Sequence, residues 1–163
     1  MKKVLLLLIL LMAGSLNAKP VTVTGVVMRC IDGDTFVLRD IVRGEFTECI
    51  VRVWGIDAPE KYQFWGNEAK YALETLILYQ RVKVLKVGTD RYKRVVGLVI
   101  YHERDIGKIM IATGNAWWYD KYAPKRRDYY SAQLSASQAP IGLWAVDEGP
   151  LAPWDWRKEN QYE

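Results

Sequence analysis

Stretches of β-branched and apolar residues, separated by short polar turns, occupy the part of the chain that follows residue 20. Residues 21–31 form the first stretch, and the Asp32-Gly33 pair after it is a strong β-hairpin signal. The segment "DTFVLRD" resumes a strand pattern, a second turn falls at residues 43–45, and residues 46–56 form a third stretch. This pattern predicts a three-stranded meander.

The next segment changes to helical periodicity. In "GNEAKYALETLIL", residues 66–78, apolar side chains recur along one face, and this spacing predicts an amphipathic helix. The apolar face comprises Ala69, Ala72, Leu73, Leu76 and Ile77. Two β-branched runs follow, at residues 82–87 and 95–101, and the polar loop "GTDRYKR" separates them. They predict a fourth and a fifth strand.

The last third of the chain carries two more helical patterns. They cover residues 106–113 and 126–138, and Pro140 stops the second. Five short strands with a helix after the third predict an α+β fold, in which a small closed barrel carries about three packed helices. From about residue 145 the tail contains Pro150 and Pro153, and we expect irregular structure there.

The first eighteen residues have the composition of a secretory signal peptide. Two lysines precede an unbroken apolar run from Val4 to Met12, and small and polar residues lead to Ala18. Nine apolar residues are too few to cross a bilayer of roughly 30 Å as a helix. We therefore expect removal of residues 1–18, no stable membrane span afterwards, and a single periplasmic or secreted domain over residues 19–163.

Charge alone does not identify a partner. The formal net charge is +4, and loss of Lys2 and Lys3 with the signal segment would lower it to +2. The positive charges are clustered, however, at residues 91–94 and 121–127. Such clusters are either solvated faces or phosphate-binding sites, and the first reading is the commoner one.

Cys30 and Cys49 are the two cysteines of the chain. An oxidising compartment favours a disulfide between them. The alternative is a pair of buried free thiols in neighbouring strands, because sequence cannot place their Cα atoms within bonding distance.

Elimination narrows the chemistry. The chain has one histidine, His102, and no G-x-S-x-G motif. These features argue against a histidine-based catalytic triad and against a His/Cys zinc site. Carboxylates and arginines remain, at predicted turns and strand ends. Carboxylate oxygens suit Ca²⁺ or Mg²⁺, and arginine binds phosphate through paired N–H groups. Taken alone, "VRVWGIDAPE" is more typical of a solvent-reaching arginine followed by a turn and helix cap than of a functional site.

Three segments together change that balance. "IDGDT" at residues 31–35, "VRVWGIDAPE" at 51–60 and "TDRYKRVVG" at 89–97 resemble, in order and spacing, the signature segments of the staphylococcal nuclease (thermonuclease) family. "AWWYDKYAP" and "GLW" also look like that family, so the resemblance, to exported bacterial members, covers roughly residues 21–144. It implies an OB-fold with a five-stranded Greek-key barrel, in agreement with the strand count.

The resemblance also implies roles for individual residues. Asp34 and Asp57 would bind Ca²⁺ with help from the backbone carbonyl of Ala58, and Glu60 would act as general base or orient the attacking water. Two arginines would bind the scissile phosphate, and four further residues would contact the nucleotide. The arginines are Arg52 and Arg94, and the nucleotide contacts are Arg91, Tyr92, Tyr119 and Tyr122.

Lys93 departs from the family pattern, which commonly has glycine there. Glycine tolerates a left-handed backbone that costs other residues about 1 to 2 kcal/mol, so Lys93 either accepts this strain or lies in a differently shaped loop. Its charge lies between Arg91 and Arg94, and we expect Lys93 to contact the substrate backbone. Trp117 and Trp118 invite a base-stacking interpretation, but adjacent aromatic residues more often belong to the core.

With the signal segment, the resemblance therefore implies an exported, monomeric, Ca²⁺-dependent nuclease that hydrolyses DNA and RNA with little sequence preference and leaves 3′-phosphates. The competing class is a non-catalytic OB-fold module that binds single-stranded nucleic acid or oligosaccharide. The presence of Asp34, Asp57 and Glu60 together with Arg52 and Arg94 favours the enzyme, because a binding module does not need carboxylates beside phosphate-binding arginines.

Overall fold

The computed structural model describes residues 21–42, 45–146 and 149–160. The predicted signal segment and most of the predicted turn at residues 43–45 lie outside them. The strands are β1 Thr22–Cys30, β2 Thr35–Val42, β3 Glu45–Val53, β4 Ile56–Asp57, β5 Arg81–Thr89, β6 Val95–Tyr101, β7 Arg104–Asp105 and β8 Trp117–Trp118. The helices are α1 Gly66–Ile77, α2 Ile106–Ala112, α3 Arg127–Ser137 and α4 Pro153–Glu159, with a 3-10 turn at Gly142–Trp144.

Five of these strands close into a barrel. Their order is β3-β2-β1-β5-β6, each neighbour antiparallel, and a parallel pairing of β3 with β6 completes the ring. In that closing pair Val51 lies opposite Val95 and Val53 opposite Gly97. The two-residue strand β7 extends the sheet beyond β6, and β4 pairs separately with β8. The fold is the expected α+β OB-fold barrel.

The core fills the barrel and the space under the helices. Side chains from β1, β2, β3, β5 and β6 meet apolar side chains of α1 and α2 there, and removal of this surface from water stabilises the fold. Fully buried members are Val27, Phe36, Leu38, Val51, Val84, Val99, Leu73, Ile77, Met110 and Ile111. No helix in the described part of the chain is long and apolar enough to span a membrane.

One arginine of the second basic cluster belongs to the fold. Arg126 donates to Asp105 at 2.6 Å and to Asp128 at 2.8 Å, and its guanidinium lies 3.7 Å from the centre of the Tyr129 ring. Asp105 also caps α2 by accepting from the Lys108 amide, so this group joins α2 to α3. Arg126 is therefore a structural residue.

The structure leaves Cys30 and Cys49 as free thiols, so the disulfide prediction is wrong. Cys30 ends β1 and pairs with Phe36 of β2, while Cys49 of β3 pairs with Leu38 of the same strand. Strand β2 thus separates the two cysteines, which keeps them beyond the reach of a disulfide. Burial raises the pKa of the Cys30 thiol to about 12, so this thiol is unreactive.

The C-terminal tail is also more regular than expected. Residues 153–159 form the helix α4, with Pro153 at its N-terminal end, Asp155 in the first turn, and Arg157 and Lys158 in the last turn. Each of these positions suits the helix, since proline needs no hydrogen-bond partner there and the charges oppose the helix dipole. The prediction of irregular structure from about residue 145 is wrong for this segment.

The predicted hairpin joins β1 to β2, and Gly33 in it has a further role in packing. Gly33 lies in the connection from β1 to β2, but its φ is not in the left-handed region that an Asp-Gly hairpin turn requires. The side of Gly33 that would carry a side chain faces α1 and the segment after β4. A Cβ atom there would lie 2.7 Å from Ala58 Cβ and 2.8 Å from Ala69 Cβ. Close packing therefore demands glycine at this position.

Gly33→Ala is expected to lower the free energy of unfolding by about 1 to 3 kcal/mol, because the added methyl group forces the connection away from α1. The matched control is Gly88→Ala, where a Cβ atom meets nothing within 4 Å. The control should lie within about 1 kcal/mol of the unsubstituted protein. Urea unfolding of the two variants checks this, and equal stability of both would contradict the packing assignment.

Candidate active site

Two buried carboxylates form the base of the site. Asp34 immediately precedes β2 and Asp57 ends β4, and their side chains are 2% and 0% exposed. Arg52 of β3 lies between them and donates to Asp34 Oδ1 and to Asp57 Oδ1, each at 2.5 Å. Asp34 Oδ1 also accepts from the Thr35 hydroxyl, and Asp34 Oδ2 accepts from the Ala58 amide. The barrel thus brings three predicted site residues into one hydrogen-bonded group.

Negative charge dominates this group. Burial raises the pKa of Asp57, although bonds from Arg157 and the charge of Arg52 oppose the shift. Burial and the neighbouring charge of Asp34 raise the pKa of Asp32 to about 7. Burial alone would lower the pKa of Arg52, but the surrounding aspartates raise it above its ordinary value. The site therefore favours additional positive charge.

The donor set suits a hard cation. Asp34 and Asp57 supply buried carboxylate oxygens beside the backbone of Ala58, and such oxygens are the ligands that Ca²⁺ prefers. Within residues 21–42, 45–146 and 149–160, no three His, Cys, Asp or Glu side chains converge as a ready metal cluster. A pair of carboxylates nevertheless suffices for an ion that completes its shell with backbone oxygens and water. The residues present fit Ca²⁺.

Sequence reasoning missed Arg157, which reaches this site from α4. Arg157 Nη1 donates to Glu60 Oε1 at 2.7 Å, and Nη2 donates to Asp57 Oδ2 at 2.7 Å. A longer contact of 3.3 Å joins Nη1 to Asp57 Oδ1. Glu60, predicted as the general base, is thereby linked to the carboxylate pair through a residue about a hundred positions later in the chain.

A cleft of about 1380 Å³ opens above the carboxylates. Glu60, Arg52 and Arg157 line it on one side, and the loop between β5 and β6 lines it on the other. The loop contributes Thr89, Asp90, Arg91, Tyr92 and Arg94, while Asp32, Tyr119, Tyr122, Trp154 and Lys158 complete the wall. All but one of the predicted catalytic and substrate-contacting side chains thus share one cleft. Lys93 does not line it.

Arg94 is held within its own loop. Its Nε donates to Asp90 Oδ2 at 2.7 Å, and its guanidinium lies 5.2 Å from the centre of the Tyr92 ring. Burial opposes a low pKa of Asp90, but hydrogen bonds and charge from Arg94 lower it below its usual range. Arg94 therefore reaches the cleft already paired with Asp90. This pair is separate from the group of Arg52, Asp34 and Asp57.

Outside the loop between β5 and β6, Tyr119, Tyr122 and Trp154 form the aromatic part of the cleft wall, and only Tyr122 of these is as open as a nucleotide contact was expected to be. The Tyr119 ring stacks on Trp154 at 5.0 Å between centroids and 7° between planes, so α4 covers one face of Tyr119. Tyr122 packs edge-on against Tyr119 and is 61% exposed in the cleft. Trp117 packs against Trp144 and Trp154, and Trp118 donates to the Ala123 carbonyl. The two adjacent tryptophans are therefore packing residues, as expected.

Lys93 accepts the backbone strain that the sequence raised as one alternative. Its φ is +64°, in the left-handed region, and its amide donates to the Asp90 carbonyl. Asp90 Oδ1 accepts from the amides of Tyr92 and Arg94 as well, so this side chain fixes the loop around the strained residue. His102 also has a positive φ and lies exposed in the turn between β6 and β7, and it is not among the residues that line the cleft.

Comparison with known proteins identifies the family of the chain. Residues 50–146 match the family described as staphylococcal nuclease homologues. The chain belongs to the staphylococcal nuclease family. An uncharacterized endonuclease of Haemophilus influenzae is 36% identical over 135 residues, which cover 83% of this chain and 73% of that protein. A micrococcal nuclease of Shigella flexneri is 33% identical over 150 residues, covering 84% and 82% of the two chains.

The family match does not include the whole site. It contains Arg52, Asp57, Glu60 and Arg94, but Asp34 lies before it and Arg157 after it. The staphylococcal nuclease signature at residues 31–35 gave a signal for Asp34. For Arg157 the available signal was the helix-compatible order of proline, acid and bases in α4.

Lys93→Gly is expected to raise the free energy of unfolding by about 0.5 to 1 kcal/mol. Relief of the left-handed strain exceeds the entropy that glycine adds to the unfolded chain. Lys125→Gly removes an exposed loop lysine without a positive φ, and it should lower stability by about 0.5 to 1 kcal/mol. Thermal and urea unfolding measure both. A loss of stability in Lys93→Gly equal to that in the control would contradict the strain.

Proposed function

We propose that this protein is a Ca²⁺-dependent nuclease that hydrolyses phosphodiester bonds of DNA and RNA with little sequence preference and leaves 3′-phosphates. The observation that carries the proposal is the buried Asp34–Arg52–Asp57 group at the base of an arginine-lined cleft. Membership of the staphylococcal nuclease family supports it, as do relatives named endonuclease and micrococcal nuclease.

Arg52 and Arg94 are proposed to bind the scissile phosphate. Attack on phosphorus places negative charge on the equatorial oxygens, and guanidinium groups stabilise such charge through paired N–H donors. Both arginines line the cleft. Both are paired with aspartates, so each would exchange a carboxylate for a phosphate oxygen when substrate enters. Neither gives up its proton at neutral pH, which makes them electrostatic stabilisers rather than acids.

Glu60 is proposed to orient the attacking water and accept its proton. Its carboxylate lines the cleft beside Arg52, while its backbone is fixed by the turn in which its amide donates to Gln63 Oε1. Asp34 and Asp57, with the Ala58 backbone, would hold Ca²⁺, which supplies charge neutralisation and a more acidic bound water. The water oxygen bonds to phosphorus as the bond to the 5′ oxygen breaks, and the 5′ oxygen takes a proton from solvent water, giving a 3′-phosphate and a 5′-hydroxyl.

Weak sequence preference follows from the proposed contacts. Arg91, Tyr92, Tyr119 and Tyr122 are proposed to bind the nucleotide through charge and ring faces, and every nucleotide offers phosphate and a base face. Of these, Tyr92 and Tyr122 are the most open, at 56% and 61% exposure. Lys93, which does not line the cleft, is proposed to contact the substrate backbone outside it. Export is proposed on the signal-like residues 1–18, whose two lysines and apolar run suit a secretory leader.

The deciding experiment is hydrolysis of single-stranded and double-stranded DNA and of RNA by the purified protein, with Ca²⁺ and again with a calcium chelator. We expect cleavage of all three with Ca²⁺, loss of cleavage with chelator, and 3′-phosphate ends by mass spectrometry. Binding of single strands without cleavage in either condition would contradict the proposal and favour a non-catalytic OB-fold module.

Glu60→Gln should lower turnover by about 10²-fold or more, the usual scale for a positioned general base. The matched control is Glu48→Gln, which removes the partner of Arg39 on the barrel surface, where both side chains are more than 40% exposed. An exposed pair of this kind contributes little, so the control should keep its turnover. Equal turnover of the two variants would remove Glu60 from the mechanism.

A further inference from the structure

The helix α4 is docked on the cleft by apolar packing. Trp154 lies between two aromatic residues of the barrel side, stacked on Tyr119 and edge-on to Trp117 at 5.7 Å. Pro153 is buried, and the Leu151 carbonyl accepts from Gln63 Nε2 at 2.6 Å. These contacts hold α4 in place independently of its charges, so Arg157 is delivered to the carboxylates by a fixed scaffold.

Arg157 lines the cleft and also connects two carboxylates, those of Glu60 and Asp57. One Nη donates to Glu60 and the other to Asp57, both at 2.7 Å, and the Arg157 side chain is 27% exposed. Among the described residues, Arg157 is the hydrogen-bond partner of the Glu60 carboxylate. The backbone of Glu60 is fixed by its turn, but the direction of its carboxylate depends on this one guanidinium.

The two arginines make their short bonds to different oxygens of Asp57. Arg52 donates to Oδ1, and the shorter bond of Arg157 goes to Oδ2, with a longer contact of 3.3 Å to Oδ1. Departure of Arg52 toward a phosphate would remove one donor from Asp34 Oδ1 and from Asp57 Oδ1 together. The Thr35 hydroxyl would remain on the first oxygen, and the 3.3 Å contact of Arg157 on the second. Arg157 could remain on Asp57 Oδ2 and Glu60 throughout. The contacts of Arg157 are therefore compatible with a cation in the place that Arg52 leaves between Asp34 and Asp57.

We infer that Arg157 is a positioning residue that holds the Glu60 carboxylate against Asp57, a role that rests on the proposed nuclease function. A planar fork suits this role, since it bonds two carboxylates in a fixed relative orientation. Its charge also offsets the repulsion that Glu60 and Asp57 would otherwise exert on one another. The C-terminal helix is thus part of the active site.

Turnover at saturating substrate and saturating Ca²⁺ tests this inference. Arg157→Gln should lower kcat about tenfold or more while KM changes less than about threefold, because a misdirected Glu60 impairs the chemical step and not substrate binding. Arg157→Lys should be intermediate, since an ammonium cannot reproduce the two-carboxylate fork. Arg127→Gln, which removes an equal charge from the exposed start of α3, should match the unsubstituted enzyme.

A double-mutant cycle separates action through Glu60 from other roles. In the Glu60→Gln background, Arg157→Gln should lower kcat by less than about twofold, because the group that it orients is already gone. Without metal or substrate, Arg157→Gln should lower Tm by several degrees, and by clearly less when Glu60 is already Gln. The second cycle measures the same coupling independently of activity.

Three results would overturn the inference. A tenfold rise in KM that persists in the Glu60→Gln background would make Arg157 a direct phosphate ligand. An unchanged kcat with a lower Ca²⁺ requirement would make it only a competitor of the cation. Additive losses of Tm in the metal-free cycle would show that Arg157 and Glu60 are not coupled. An inactive unsubstituted protein would instead overturn the proposed function, and the positioning role with it.

Discussion

Burial of like charge is the constraint on which this structure depends. Asp34 and Asp57 lie almost fully out of water on segments that the barrel brings together, and neither could remain ionised there without a cation between them. Arg52 supplies that cation in the structure. Its place in β3, where β3 closes the ring on β6, means that correct closure of the barrel also assembles the site.

Such a group is costly for stability and useful for chemistry. Isolated carboxylates in an apolar interior would take up protons, and the raised pKa of Asp32, about 7, reflects this pressure. Each arginine pair keeps a carboxylate charged and directed. Substrate or cation binding can then exchange partners within a preformed site, without the cost of building it from solvated side chains.

Sequence predicted the barrel well because its signals are local. Runs such as residues 82–87 and the face of α1 report strand and helix directly, and the structure places both within a few residues of the prediction. Most of the predicted catalytic and substrate-contacting residues also converged on one cleft, and Lys93 is the exception. Their roles remain predictions, because shared position does not reveal which atom each one serves.

The failures concern relations between distant segments. Cys30 and Cys49 failed as a pair because their separation depends on which strand lies between them, and β2 does. Arg157 was missed because its partners lie near residue 60, so its own surroundings in the sequence show only a short charged helix after two prolines. Asp32-Gly33 correctly predicted the hairpin between β1 and β2, but the packing of Gly33 against Ala58 and Ala69 was missed because it depends on tertiary contacts.

The most direct measurement of the central claim is calorimetric titration of Ca²⁺ into metal-free protein, for the unsubstituted chain and for Asp34→Asn and Asp57→Asn. If the buried pair is the cation site, the unsubstituted protein binds one Ca²⁺ and each variant binds it at least about tenfold more weakly, with the fold retained. Binding of equal strength in all three proteins would place the ion elsewhere and contradict the account.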